Sequence, residues 1–162
     1  DGVVNDIFTI DFPQNITQVH FIKLRLFDTK GKEVANTFYW RSNDKYEGRK
    51  TLTGPTSSGF EDLSKLKQVQ LKTRYQTYQE GDRHFIKAEI KNPSSTVAFF
   101  TQLQLLGQDK KPVRPSFYTD NFFSLLPGES KTVIIETAAS DMPSEPTFVV
   151  KGWNIKPSSF KL

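Results

Sequence analysis

Side chains that do chemistry near neutral pH are scarce in this 162-residue sequence. There is no cysteine, and the two histidines are His20 and His84. Each histidine falls inside an alternating, strand-like run among basic and apolar neighbours, which is not the setting of a nucleophilic triad. A zinc or non-haem iron centre needs at least three suitable ligands, and two separate histidines without an acidic spacing motif do not supply them, so no metal is expected. The glycines sit singly in turns, which leaves no glycine-rich phosphate cradle, and no cofactor is expected. Carboxylates are numerous enough for a glycosidase pair. However, Asp28, Asp62, Asp82 and Asp109 occupy turn or cap positions, where such side chains bond local backbone amides. No residue is assigned a catalytic role.

Aromatic faces offer a different chemistry, since sugars stack on flat rings through their C–H surfaces. Phe38-Tyr39-Trp40, Phe117-Tyr118, Phe122-Phe123 and Trp153 are the candidates. Neighbours on a strand face opposite ways, so some of these rings fill a core while others are exposed or sit at an interface. Filling the cores and the seam between them is the favoured role. Around Tyr118, the short polar side chains of Asp120 and Asn121 are expected to bond loop backbone. Leu125-Leu126-Pro127-Gly128-Glu129 reads as a turn fixed by proline and glycine and anchored by leucine. Tyr118, Asp120, Asn121, Trp40 and Trp153 are therefore the candidate binding residues, as a wall of a substrate cleft or as a domain interface.

The elements that must position these residues are strands. Ile22, Leu24 and Leu26 alternate with Lys23 and Arg25, Asp28-Thr29-Lys30-Gly31 supplies a turn, and Val34 to Trp40 returns, which makes a hairpin. Ile7 to Phe12, ending at Pro13, is expected to add a third extended segment. Residues 41–59 lose all periodicity and collect Asn43, Asp44, Gly48, Gly54, Pro55, Ser57, Ser58 and Gly59, as a long linker does. Phe60, Leu63 and Leu66 then suit one short helical turn, started by Ser58.

Further along, strand signals span Gln68 to Tyr78, His84 to Lys91, Val97 to Leu106, Pro112 to Tyr118, Asn121 to Leu126, Lys131 to Thr137 and Thr147 to Ile155. Short strands separated by turns about every 8 to 12 residues predict an immunoglobulin-like antiparallel β-sandwich. The expected architecture is all-β. Residues 1–58 form a partial immunoglobulin-like segment plus linker, a few strands of a second, incomplete sandwich. Residues 59–162 form the complete sandwich. The apolar Ile22, Leu24 and Leu26 face needs a cover, either the complete sandwich or a second copy of the chain.

Charge excludes some partners. Lys and Arg number 22 against 18 Asp and Glu, and the lysines are scattered, with Lys65, Lys67 and Lys72 the nearest to a cluster, so no nucleic-acid footprint exists. No apolar run is long enough to cross a membrane as a helix. The first residues lack the basic start and apolar stretch of a signal peptide. Asn15-Ile16-Thr17 is a glycosylation sequon, meaningful only in a eukaryotic secretory pathway.

Three stretches carry a family resemblance. Ala98-Phe99-Phe100-Thr101-Gln102-Leu103, the string from Val113 to Glu129, and Val150-Lys151-Gly152-Trp153-Asn154 resemble the C-terminal immunoglobulin-like domain of glycoside hydrolase family 2 enzymes, of the exo-β-D-glucosaminidase and β-mannosidase type. Asp120-Asn121-Phe122-Phe123-Ser124-Leu125-Leu126-Pro127-Gly128-Glu129 is the most specific part. Asn36 to Trp40 and Phe60 to Leu66 resemble the end of the preceding domain and the junction, while residues 41–59 depart from the family, whose members often carry tryptophan and tyrosine there.

The resemblance implies a non-catalytic accessory domain of a retaining exo-glycosidase acting on β-linked sugars. Its partners would be the catalytic barrel and the preceding domains of a parent chain, and its location periplasmic or extracellular. The two catalytic glutamates of such enzymes, about 5 to 5.5 Å apart, belong to the barrel. This sequence has no alternating strand-helix pattern to receive them. The alternative is a stand-alone carbohydrate-binding or adhesion sandwich whose exposed aromatics form a coplanar row on one sheet face.

Overall fold

The computed structural model describes residues 8–43 and 59–162. The chain divides into two compact units, residues 1–65 and 66–162.

In the first unit, β1 (Val19–Phe27) and β2 (Glu33–Ser42) pair antiparallel, from Val19 opposite Ser42 to Leu26 opposite Ala35. The turn between them is held by Asp28, whose Oδ1 accepts from the Lys30 and Lys32 amides at 2.9 Å each. The hairpin read from the sequence is present. Residues 8–18 form no strand, contrary to the expected third segment. Residues 8–15 are exposed and pair with no strand, and Pro13, which lacks an N–H, opens a turn closed by the Ile16 amide on the Pro13 carbonyl at 3.2 Å. Ile7 and residues 44–58, including Ser58, lie outside the described residues. Glu61–Lys65 is one 3-10 turn, whose three-residue period suits the expected spacing of Phe60 and Leu63.

The second unit is the sandwich. Its strands are β3 (Lys72–Glu80), β4 (Arg83–Lys91), β5 (Ala98–Leu106), β6 (Phe117–Tyr118), β7 (Phe123–Leu125), β8 (Ser130–Ala138), β9 (Thr147–Gly152) and β10 (Ile155–Lys161). One sheet has the order β10-β9-β5-β7 and the other β3-β4-β8-β6, with every pairing between named strands antiparallel. Alternation dictates the core. Ile86, Ala88 and Ile90 of β4, Val133 and Ile135 of β8, Leu103 and Leu105 of β5, and Phe148 and Val150 of β9 are all 1% exposed or less. Each fully buried Val, Leu, Ile or Phe side chain contributes about 1.5–3 kcal/mol.

Three strand boundaries differ from the sequence reading. The run from Gln68 to Tyr78 is two pieces, because Val69 bridges Ile155 in the first sheet before the chain enters the second as β3. The run from Pro112 to Tyr118 shrinks to a bridge at Pro112 and the two residues of β6. The run from Thr147 to Ile155 turns at Trp153-Asn154 and returns as β10, which the sequence reading missed. β10 contains Pro157 and polar residues, and a proline is tolerated there because β10 is the sheet edge.

Two buried asparagines tie the loops to the core. Asn154, 4% exposed, accepts from the Phe99 amide at 2.9 Å and donates to the carbonyls of Lys67 at 2.9 Å and Val97 at 2.8 Å. Asn92, fully buried, donates to Thr96 and Leu125 carbonyls and accepts from the Ser94 amide and hydroxyl. Removing a partner from buried backbone groups leaves each of them unsatisfied, at about 1–3 kcal/mol apiece. Asn154→Ala is expected to lower the unfolding free energy in urea by about 3 kcal/mol, while Lys156→Ala changes it by under about 0.5 kcal/mol. A loss below about 1 kcal/mol for Asn154→Ala contradicts this role.

Candidate functional site

The segment from Phe117 to Phe123 passes from one sheet to the other. Phe117 and Tyr118 pair with Glu136 and Ile135 of β8, and Thr119 extends that pairing, its N–H donating to the Ile134 carbonyl and its Oγ1 accepting from the Ile134 amide, both at 3.0 Å. By Phe123 the chain is opposite Thr101 of β5.

Continuing that antiparallel register by two residues puts Asn121 opposite Leu103. The backbone does not continue the ladder there, because Phe122 has φ +57° and turns the chain aside. The Asn121 side-chain amide takes the place of a peptide group instead. Its Oδ1 accepts from the Leu103 amide at 2.8 Å and its Nδ2 donates to the Leu103 carbonyl at 3.0 Å. One step on, the Tyr118 hydroxyl oxygen accepts from the Leu105 amide at 3.0 Å, and the Val113 amide donates to the Leu105 carbonyl at 2.9 Å. Burial of the Tyr118 phenol raises its pKa, against a smaller lowering by the Leu105 N–H.

Asp120 faces elsewhere. Its Oδ1 accepts from the Asn121 amide at 2.7 Å, and Oδ2 pairs with the Lys131 ammonium, which also lies over the Phe123 ring at 5.1 Å. Then Leu125-Leu126 leads into a turn in which Gly128 (φ +80°) takes the left-handed position that a Cβ disfavours, the Glu129 amide reaches the Leu126 carbonyl at 3.1 Å, and the Glu129 carboxylate caps the Leu126 amide at 2.8 Å.

Tyr118 and Asn121 are thus brought together on one strand edge, with Asp120 beside them. As expected from the sequence, Asp120 and Asn121 bond loop backbone, the amides of Asn121 and Phe122 at 2.7 and 3.1 Å, but Asn121 also bonds the strand backbone of Leu103, which the sequence did not show. Trp153 stands at the β9–β10 turn, 59% exposed, its backbone amide donating to the Phe99 carbonyl at 3.1 Å. Trp40 belongs to the first unit, on β2 opposite Phe21, 43% exposed. Two concavities of the second unit, of 330 Å³ beside Arg74, Lys87 and Glu89 and of 460 Å³ beside Gln108, Glu145 and Leu162, include none of the five candidates.

Of the four aspartates expected to bond local backbone amides, Asp28 and Asp109 do so, while Asp62 pairs with a lysine side chain. Asp28 holds its hairpin turn, Asp62 pairs with Lys65 at 2.6 Å, and Asp109 accepts from the Lys111 amide at 3.0 Å, which with the Lys111 ammonium holds its carboxyl below the usual range. Among the described residues no group of three or more His, Asp or Glu could hold a metal. The His20 ring packs against Phe12 with centroids 5.3 Å apart. The sequence reading passed over the Phe99-Phe100 bulge of β5 and the buried Asn92 and Asn154. The only available signals were an asparagine in a Gly-Trp-Asn turn and one before Pro-Ser.

A family model described as the exo-β-D-glucosaminidase Ig-fold domain matches residues 51–155. The chain belongs to this family. The exo-β-D-glucosaminidases of Streptomyces avermitilis and Amycolatopsis orientalis are 30% identical over 149 residues and 27% identical over 157. Those alignments cover 86% and 90% of this chain but only 16% and 15% of the relatives, so the chain spans about a sixth of their length. Both relatives carry the exo-β-D-glucosaminidase name, and the β-mannosidase alternative gains nothing from them. The crystal structure of the Amycolatopsis orientalis exo-chitosanase shares the fold, with TM-score 0.78 at 24% identity over 92% of this chain and 19% of that one. Its complex with PNP-β-D-glucosamine gives 0.80 at 24% identity over 96% and 19%.

In the Ig-fold domain, Tyr118 and Asn121 serve the β5 edge, so their loss is a loss of stability. Tyr118→Phe is expected to cost about 1–2 kcal/mol and Asn121→Ala about 2–3 kcal/mol in urea unfolding. A raised phenol pKa means that the folded state holds the proton more tightly, so this stability is present below the ordinary tyrosine range and lost as pH rises through the folded value. The stability of the wild type should therefore fall more steeply than that of Tyr118→Phe above about pH 10. Equal slopes contradict the assignment.

Proposed function

We propose that this chain is a non-catalytic accessory domain of an exo-β-D-glucosaminidase, a structural module of a longer polypeptide that carries the catalytic carboxylates elsewhere. The observation behind this reading is the match to the Ig-fold domain family over residues 51–155, in a chain spanning about a sixth of its relatives. The geometry agrees with it, since Tyr118 and Asn121 close a strand edge and the Asp28 and Asp109 carboxylates serve local backbone. On the same reading the parent chain works outside the cytoplasm, where polymeric β-linked sugars are met.

The carbohydrate-binding alternative draws on the exposed aromatics. Two observations weigh against it. The rings of Phe99, Phe100 and Phe122 are tilted by 53° and 55° to one another rather than coplanar. Residues 66–162 carry thirteen Lys and Arg against nine Asp and Glu, a poor match for glucosamine oligomers that carry ammonium groups.

The test is to assay the 162-residue chain and its parent side by side with PNP-β-D-glucosamine and to titrate the short chain with chitosan and mannan oligosaccharides, following tryptophan fluorescence. Hydrolysis by the parent alone, with no saturable binding to the short chain, is the expected result. Turnover by the short chain overturns the reading, and saturable binding makes the chain a carbohydrate-binding module.

The hairpin also leaves Leu24, Leu26 and Val34 exposed at 37%, 61% and 55%. A two-stranded hairpin is marginal without a covered face, so the short chain is expected to self-associate through it. Sedimentation across a wide concentration range should show reversible dimers that Leu26→Lys abolishes; a monomer throughout contradicts this.

A further inference from the structure

A sheet edge is an open row of peptide groups, and folded proteins blunt such rows by brevity, proline or bulges. Three edges of the sandwich are blunted in these ways. β6 and β7 have two and three residues, and β10 carries Pro157 and a register shift between Ile155 and Ser158. The fourth edge, β3, has none of these devices. It has nine residues without proline, pairs with β4 in unbroken register from Lys72 to Glu80, and is exposed at seven of its nine positions. Nor does it turn a charge inward, since Thr73, Tyr75 and Thr77 are the residues opposite the buried Ile90, Ala88 and Ile86.

The register shows which of its peptide groups are free. The Ala139 amide donates to the Asp82 carbonyl at 2.7 Å and the Asn92 amide to the Glu129 carbonyl at 2.9 Å, continuing the β4–β8 pairing at both ends. Even-numbered residues of β4 therefore bond β8, and odd-numbered ones bond β3. Their partners on β3 are its even-numbered residues. The N–H and C=O groups of Thr73, Tyr75, Thr77 and Gln79 thus point away from the sheet, along its open edge.

We propose that β3 is a pairing edge for a second copy of the chain, whose own β3 adds antiparallel about a two-fold axis at Gln76. The pairing that uses the whole strand sets Lys72 opposite Glu80, Arg74 opposite Tyr78 and Gln76 opposite Gln76 across the axis, all on one face. Opposite charges meet at both ends, and between them a guanidinium meets a phenol ring. Among the described residues Lys72, Arg74 and Glu80 form no ion pair, so these charges are available. The same register brings the free peptide groups of Thr73 and Tyr75 against those of Gln79 and Thr77, in the phase that hydrogen bonding requires. Nine residues a side, against about 20–30 in a stable complex, make this a transient contact. It is independent of the hairpin face and of the accessory-domain reading.

A covalent trap reads a transient contact that sedimentation misses. The chain has no cysteine, so one introduced thiol reports alone. All variants carry Leu26→Lys, which removes association through the hairpin. Opposed residues of this kind lie about 4.5 Å apart between Cα atoms, within the roughly 4.4–6.8 Å that a disulfide spans. Gln76→Cys is therefore expected to form disulfide dimers in oxidised glutathione severalfold faster than Lys87→Cys, which faces solvent on β4. Arg74→Cys and Tyr78→Cys each set their two thiols about 14 Å apart along the strands, so neither should link to itself, while a mixture of the two should cross-link. Adding Glu80→Lys to Gln76→Cys should slow the reaction to the Lys87→Cys rate, and further adding Lys72→Glu should restore it. Equal rates for Gln76→Cys and Lys87→Cys, or no recovery on exchanging the charges, overturns the proposal. The assay with PNP-β-D-glucosamine decides the accessory-domain reading separately.

Discussion

A strand buried in a sandwich must have a partner for every peptide group along both edges, and on the β7 side of β5 the β7 ladder ends at Thr101, with backbone partners returning only at the Leu105 carbonyl, which accepts from the Val113 amide, and at Leu106. Leu103 and Leu105 place their side chains in the centre of the core, so their amides cannot be left to water. The Asn121 amide and the Tyr118 hydroxyl complete the edge. Because Tyr118 is also paired to β8, the same short segment fastens one sheet to the other. Asp120, Thr119 and the Leu126 to Glu129 turn hold that segment in place, and the most family-specific string in the sequence is accounted for by this one constraint.

How much of this the sequence shows depends on the range of each interaction. β4, β5 and β8 announce themselves because alternation is a local property and both sheets bury one face; Ile86, Ala88 and Ile90 against Lys87 and Glu89 is the clearest case. The Pro127-Gly128 turn is equally local. β10 is hidden because an edge strand needs no alternation and tolerates Pro157, and the segment from Phe8 to Phe12 shows that a pattern without a partner strand forms no strand. The asparagines are the instructive failure. Residue type says that Asn92, Asn121 and Asn154 can bond backbone, but not which backbone. The Asn121 target lies 18 residues away, and one of the Asn154 targets lies 87 away.

These placements also change the standing of the candidate site. Five residues singled out for polarity or aromatic character separate into distinct roles: Tyr118 and Asn121 close an edge, Asp120 orients their segment through Lys131, Trp40 sits on the hairpin of the first unit, and Trp153 stands exposed at the β9–β10 turn. Positive φ at Phe122 underlies the first of these roles, since the turn that ends the β7 ladder, and so requires the Asn121 amide, is the same turn that exposes the Phe122 ring. Edge closure is a consequence of one backbone conformation in a member of the exo-β-D-glucosaminidase Ig-fold domain family.

Native-state hydrogen exchange of the Leu103 and Leu105 amides tests edge closure by side chains most directly. If Asn121 and Tyr118 complete the strand, both amides exchange only through global unfolding, as slowly as those of β4 and β8, and Tyr118→Phe speeds exchange at Leu105 while Leu103 stays protected. Fast exchange at both positions in the wild-type chain, on the time scale of exposed loops, would contradict the account.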